Sequence, residues 1–417
     1  MNSNMIMIKV QEIRNIEIKT WLNYSFIALA FFIPISKAGV SFFETLILIL
    51  WFIEGNWKYK FSLYIKNPVI VTLFLFLLYS TISLLWAKDL LFGLDYIGKY
   101  KHFLIIPIIY SSLNKKYVGH IFSAFLLSML LSEVVSYGIF FEIWSYKNVQ
   151  TTFPTPFMGH IPYSVYLSFA AMILLNKIFF EENKKYQLYY ILFFISVTAN
   201  LFINGGRTGQ LTFIVMLFIL FILNMKQKLK ALLFSITLVA LVLTLAFTFS
   251  PNVQERVHQG QTDIYKMQKE KDYEGSLSSR IGLWIIGVDQ ITEKFDFGTG
   301  IGSDMDEIVY YAEKNDIDYK FEIFTDHHNM FITYAIQLGE PVLFIVILLF
   351  YFIFTLHIEN KMYQNLNILF IVSFTLWGWT GMIFHVMDSM TLFALFVGLF
   401  NSLASQKNKN KLHAKLD

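Results

Sequence analysis

Apolar runs about as long as the roughly 20 residues that cross a bilayer as helix recur along this chain, separated by short polar breaks. From Pro251 the pattern turns polar, and apolar runs resume only after Asp326-His327-His328-Asn329. Setting runs against breaks predicts twelve spans, near 21–36, 38–54, 68–87, 96–113, 118–144, 161–180, 186–203, 208–224, 229–250, 329–356, 364–384 and 387–404. The second run is short, the fourth contains Lys99, Lys101 and His102, the fifth is over-long, and only Phe384-His385-Val386 separates the last two. The first run has positive flanks at Lys9, Arg14 and Lys19 but no small-residue cleavage site, so it reads as a retained anchor rather than a signal peptide.

Composition agrees with a polytopic membrane protein: 56% of residues are hydrophobic and only 15% charged. Richness in Phe, Ile, Lys and Asn fits the codon bias of an AT-rich genome, so the aromatic excess carries little weight. The absence of cysteine excludes disulfides, thiolate catalysis and Cys-ligated metal.

The positions of the positive charges set an expected orientation, because short loops rich in Lys and Arg stay in the cytoplasm. With the N-terminus inside, cytoplasmic segments hold Lys58, Lys60, Lys66, Lys115, Lys116, Lys177, Lys184, Lys185, Lys226, Lys228, Lys230, Lys361 and the tail Lys407, Lys409, Lys411 and Lys415. The opposite short loops hold only Lys37, Lys88, Lys99, Lys101, Lys147 and Arg207. Both termini are therefore expected inside, and the polar segment outside.

The expected organisation is nine spans over 1–250, an outward cap over 251–328, three spans over 329–404 and a basic tail over 405–417. The cap has little apolar content for a core of its own and is expected to lie on the membrane domain. Within it, Ser278-Ser279 suits an N-cap for a helix from about Arg280 to Lys294, with Ile281, Trp284, Ile285, Val288 and Ile291 as its apolar face. A second helix is expected after Gly302-Ser303, with Asp304, Asp306 and Glu307 in its first turn.

Several side chains are candidates for chemistry. Arg207, in Asn204-Gly205-Gly206-Arg207-Thr208-Gly209, is hemmed in by glycines that permit close backbone approach; its planar guanidinium suits bidentate phosphate binding or, alternatively, interfacial anchoring. Arg280 opens the cap helix against the macrodipole, which points to a partner: an anionic substrate, a lipid headgroup, or Asp289, Glu293 or Asp296. At neutral pH the His328 imidazole can take a proton from a sugar hydroxyl, with Asp326 or a backbone carbonyl fixing its tautomer; the alternative is a His capping the tenth span with Asn329 as a turn residue. Asp326, His327 and His328 are consecutive, which gives poor metal geometry, and no metal is assigned. Phe297-Gly298-Thr299-Gly300-Ile301-Gly302 lacks the context of a phosphate loop and reads as a turn into the next helix. Lys99, Lys101 and His102 form a basic cluster suited to phosphate binding or to snorkelling, while Glu44, Glu133 and Glu142 suit either a proton relay or structural hydrogen bonds.

Four of these elements, in this order, carry a family resemblance. Asn204-Gly-Gly-Arg-Thr-Gly209, Ser279-Arg280-Ile-Gly-Leu-Trp284, Phe297-Gly-Thr-Gly-Ile-Gly302 and His328-Asn329-Met-Phe-Ile-Thr-Tyr-Ala-Ile-Gln-Leu-Gly339 resemble the signatures of the O-antigen ligase family of bacterial inner-membrane glycosyltransferases. The resemblance implies an all-α integral membrane fold of the GT-C type with about twelve transmembrane helices and a helical periplasmic cap. It also implies transfer of a glycan from undecaprenyl diphosphate to the lipid A core at the periplasmic face, without a nucleotide sugar, cofactor or required metal. On that reading His328 is the general base, Arg207 and Arg280 clamp the diphosphate, and Lys101, His327 and Asn329 are possible additional site residues. An O-antigen polymerase or a protein O-oligosaccharyltransferase would use the same donor and differ in acceptor. A lipid-linked glycan flippase or transporter is the alternative from another class, but it would favour paired halves with midplane sites, which this chain does not display.

Overall fold

A computed structural model describes residues 3–146, 148–294, 296–317 and 321–404, with side chains from residue 17 onward apart from 251, 294 and 322. Of the charges used for orientation, Lys147, Lys407, Lys409, Lys411 and Lys415 lie outside the described residues, and Lys9 and Arg14 lie on the part of α1 whose side chains are not described. The described chain is all-helical: α1 (Ser3–Phe32), α2 (Lys37–Glu54), α3 (Trp57–Tyr64), α4 (Pro68–Ile82), α5 (Leu90–Lys99), α6 (Ile105–Ser112), α7 (Val118–Phe140), α8 (His160–Phe180), α9 (Lys184–Ile203), α10 (Arg207–Asn224), α11 (Lys228–Phe249), α12 (Pro251–Glu270), α13 (Ser278–Lys294), α14 (Ile308–Lys314), α15 (Met330–Phe354), α16 (Lys361–Thr380) and α17 (Met387–Ala404), with short 3₁₀ turns between some of them. The polar residue ending a break commonly caps the next helix: Ser36, Asn67, Asp89, Asn183, Ser250, Asn329 and Asn360 each accept a backbone N–H of the first turn.

Among the described residues eight helices are long and apolar enough to cross a membrane, nine if α2 and α3, bent by 114°, count as one span. The other expected spans correspond to α1, to α5 and α6 broken by a 3₁₀ turn at Tyr100–Leu104, and to α16; these are helical without meeting that criterion. The chain is a multi-pass membrane protein. Burial separates its centre from its rim: 89% of α17 and 78% of the apolar window of α8 are buried, against 11% for α11, which leaves α11 to face lipid. The centre is filled by interleaved rings, including Phe122, Phe125, Phe169, Phe370 and Phe396. A reciprocal amide pair, Asn67–Asn401 at 2.9 and 3.1 Å, ties α4 to α17.

The ionisable groups within the apolar runs resolve mostly as structural contacts. Glu44 is paired with buried His102 at 2.7 Å, and Glu133 accepts from Ser196 Oγ at 3.2 Å. Glu142 is exposed, because α7 ends at Phe140, short of the expected 144.

The cap departs from expectation in three respects. It has a small core of its own, formed by Leu283, Ile286, Ile308, Tyr311, Ala312, Ile317 and Phe321. The buried face of α13 carries Leu283, Ile286 and Gln290, whereas Ile285 and Val288 of the expected face are exposed. Glycines explain this rotation: a Cβ on Gly287 would lie 2.4 Å from Ile332 Cγ2 and one on Gly282 2.7 Å from Phe321, so the glycine side of α13 makes the closest approach. The third departure is the start of α14, at Ile308, which leaves Asp304 free for tertiary contacts.

What fastens cap to membrane domain is a break in α15. Gly339 takes φ 72°, ψ −169°, and Pro341 has no N–H to offer the carbonyl of Gln337 four residues earlier. The glycine loop supplies the missing donors: Thr299 N–H reaches Ile336 O and Gly300 N–H reaches Gln337 O, both at 2.8 Å. The Phe297–Gly302 segment is thus a turn, as expected, with the added task of completing a broken helix. Gly298 has φ +70°, and a Cβ there would lie 2.5 Å from the Gln337 carbonyl carbon. Gly298→Ala should therefore lower stability by at least about 2 kcal/mol, read as a fall in melting temperature in detergent. Gly260→Ala, where a Cβ meets open space on α12, should leave the melting temperature unchanged or raise it.

Candidate functional site

Two helix N-termini lie side by side where the cap meets the membrane domain. The glycines before and after Arg207 serve packing, not a left-handed turn, since none of Gly205, Gly206 and Gly209 has positive φ. A Cβ on Gly209 would lie 2.2 Å from the Ser164 carbonyl carbon, one on Gly206 2.4 Å from Ser164 Cβ, and one on Gly205 2.4 Å from the Phe153 ring. Their absence lets the start of α10 press against the start of α8, where Gly209 N–H donates to Ser164 Oγ at 3.1 Å. Arg207 and His160 are the first residues of these two helices, so their side chains share the positive ends of two macrodipoles.

The first turns of α12 and α13 close the site from above. Ser250 Oγ donates to Phe202 O at 2.9 Å and Asn252 Nδ2 to Ile203 O at 2.8 Å, fastening α12 to the end of α9. One turn on, Arg256 lies 5.3 Å over the Phe153 ring and donates to Gln259 Oε1 at 2.9 Å. The resulting cleft is lined by His160, Ile161, Gly205, Arg207, Thr208, Arg256, Ser276 and Arg280.

Three guanidiniums converge here, and among the described residues none of them forms an ion pair; one Arg207 nitrogen, Nη2, is buried without a hydrogen-bond partner. Asp289 and Glu293, two of the alternative partners for Arg280, are taken by Lys314 at 2.8 and 2.7 Å. Burial and the neighbouring Arg207 charge pull the Arg280 pKa down, with Asp326 opposing. A site with this much uncompensated positive charge favours an anion with oxygens for several donors.

His328 stands beside it, preceding α15. Its φ of 49° is left-handed, a conformation that costs a non-glycine residue about 1–2 kcal/mol. Asp326 offsets that cost: its Oδ1 accepts the His328 backbone N–H at 2.7 Å and lies 3.5 Å from His328 Nδ1. Nε2 is thereby left as the free nitrogen of a ring that is one-third exposed. Burial lowers the His328 pKa, as does Arg280, while Asp326 works the other way; burial raises Asp326 itself.

The remaining candidates separate. His327 is fully buried, with Nδ1 3.1 Å from the equally buried Asp304, whose other oxygen accepts from Gln337 Nε2 at 2.6 Å. It anchors the loop and does not reach the cleft. Asn329 caps α15, accepting from Phe331 and Ile332 N–H at 3.0 and 3.2 Å. The expected basic cluster is dispersed: His102 is bound to Glu44, Lys99 bridges Asp95 at 2.6 Å and His385 at 2.5 Å, and Lys101 is exposed and absent from the cleft wall. Among the described residues no three His, Asp or Glu side chains gather as metal ligands.

Arg256, His160 and Asp304 were missing from the sequence-based candidates. The signal that points to Arg256 is scarcity: the chain has four arginines among 33 Lys and Arg, and three of the four meet in this cleft. His327→Ala should cost about 3 kcal/mol by leaving the buried Asp304 carboxylate underpaired, measured as a lowered melting temperature. His328→Gly, which relieves left-handed strain, should leave it unchanged or higher.

No curated protein sequence matches the chain. The family model described as O-antigen ligase matches residues 191–347, an interval that contains Arg207, Arg256, Arg280, His328 and the glycine-kinked start of α15. Over residues 191–347 the chain is therefore similar to the O-antigen ligase family.

Proposed function

We propose that this protein is an O-antigen ligase, which transfers a glycan from undecaprenyl diphosphate to the lipid A core oligosaccharide at the periplasmic face of the bacterial inner membrane. The observation that carries this reading is the arginine-lined cleft without ion pairs beside a histidine whose Nε2 is free. An acceptor hydroxyl attacks the anomeric carbon, the bond from that carbon to the phosphate oxygen breaks, and lipid diphosphate departs. The hydroxyl proton passes to His328 Nε2, and attack opposite the leaving group inverts the anomeric centre. Asp326 orients the ring and stabilises the imidazolium. Arg207 and Arg280 bind the diphosphate and take up the charge that grows on it, through charge-assisted hydrogen bonds. A lipid diphosphate is already a good leaving group, so no metal is required by this scheme.

In cells, His328→Ala or Arg280→Ala should leave the protein in the membrane, accumulate lipid-linked glycan and give lipopolysaccharide without long chains. The His328 change should cost roughly 10²–10⁴ in rate. Normal ladders in both variants would overturn the site assignment. With purified protein, transfer to free glycan in preference to lipid A core would make the enzyme a polymerase instead.

The pH profile follows from the imidazole. His328 is active when neutral, so kcat/KM should rise with pH through its pKa and then level off. Because burial and Arg280 lower that pKa, the acid limb should fall below the ordinary imidazole value of about 6.5. Asp326→Asn removes the opposing contribution and should move the limb lower still, while also reducing the plateau. A limb above 6.5 in the unaltered enzyme contradicts the assignment.

A further inference from the structure

We infer that Arg256 binds the lipid-proximal phosphate of the donor and makes the cleft selective for a lipid carried on a diphosphate over one carried on a monophosphate. This rests on the cleft being the donor diphosphate site. Its basis is the arrangement of the three guanidiniums along the cleft.

Arg280 stands at the reacting end, where its charged surroundings are Asp326 and Arg207, and it is itself among the charges felt by His328. Arg207 is flanked by Arg256 and Asp263. Arg256 stands on α12, which Ser250 and Asn252 fasten to the end of α9, and both it and Arg280 act on His160. The line from His328 therefore starts at Arg280, whose helix α13 packs through Gly287 against Ile332 of α15, passes Arg207 in the same cleft wall and ends at Arg256 on the α9 side. A sugar–diphosphate–lipid laid along that line puts the sugar carbon at His328, the first phosphate between Arg280 and Arg207, and the second phosphate between Arg207 and Arg256.

The mounting of Arg256 suits this task. Its guanidinium lies 5.3 Å over Phe153, a ring that also fills the space left by Gly205 and lies 4.5 Å from His160. The Gln259 amide takes one of its donors, which leaves others for a ligand. Asp263, the carboxylate near Arg207, is engaged with Leu277 N–H at 2.9 Å and shapes the turn into α13. In a chain that otherwise meets its need for positive charge almost wholly with lysine, arginine at this position indicates a use for the planar fork and not for charge alone.

Charge balance points the same way. A donor with a phosphodiester at each phosphate carries one negative charge on each, and the departing lipid diphosphate gains more as its terminal phosphate becomes a monoester. A third guanidinium answers the second phosphate, which a monophosphate carrier lacks.

The test uses the full-length protein in lipid nanodiscs and measures binding of undecaprenyl diphosphate and undecaprenyl monophosphate. The unaltered protein should prefer the diphosphate by about tenfold or more, the equivalent of one charge-assisted contact. Arg256→Gln should bring the preference close to unity by weakening the diphosphate alone, and Arg256→Lys should retain part of it. Unchanged monophosphate binding reports an intact cleft. An unchanged preference in Arg256→Gln, or an equal loss for both lipids, overturns the assignment of Arg256 while leaving the donor site standing. Failure of the unaltered protein to bind either lipid overturns the donor-site reading itself.

Discussion

The break in α15 is the constraint on which the rest of the site depends. In an apolar environment an unsatisfied backbone group costs several kcal/mol, roughly the stability margin that a whole domain has to spend. Gly339 and Pro341 expose carbonyls at Ile336 and Gln337, and the N–H groups of Thr299 and Gly300 satisfy them. A loop of the polar segment is thereby made an obligatory part of the membrane domain. Asp304 follows on that loop and is bound by Gln337 of the same broken helix and by His327. His327 in turn fixes the backbone next to His328, whose left-handed φ would otherwise relax. The route from a helix kink to a free imidazole nitrogen thus runs through the buried side chains of Gln337, Asp304 and His327.

The cleft next to that imidazole works on the opposite principle. Elsewhere in the chain charges are neutralised locally, as in Glu44–His102, Glu54–Lys60 and the pairing of Lys314 with Asp289 and Glu293. In the cleft, three arginines are held near one another with their carboxylate neighbours at a distance or otherwise engaged. That arrangement raises the energy of the empty site and is relieved by an anion, so part of the binding energy is built in by folding. The helix starts of α8 and α10 add to the same field.

Much of the frame was legible from residue pattern. Apolar runs and capping residues located most helices to within a few positions, because a bilayer demands long apolar segments and polar residues at their ends are the natural caps. Arg207, Arg280 and His328 stood out for a related reason: polar residues at the edge of a membrane segment are costly unless used. Errors arose where tertiary contact overrides local pattern. The face of α13 was misjudged because glycines, invisible to a count of apolar residues, set its closest approach. Lys99, Lys101 and His102 looked like one cluster because they are close in sequence, yet a 3₁₀ turn sends them to different partners.

By itself the sequence determined that this is a helical membrane protein with a polar segment between its ninth and tenth expected spans, since hydrophobic periodicity depends only on the order of residues. It also marked out His328 and two arginines. Only the tertiary structure decided that Arg256, 49 positions beyond Arg207 in the numbering, shares a cleft with it, that His327 is an anchor, and that the glycine loop repairs a helix. Each of these rests on contacts between segments distant in the chain, and such contacts leave no local pattern: the geometry that creates them exists only once the helices have packed.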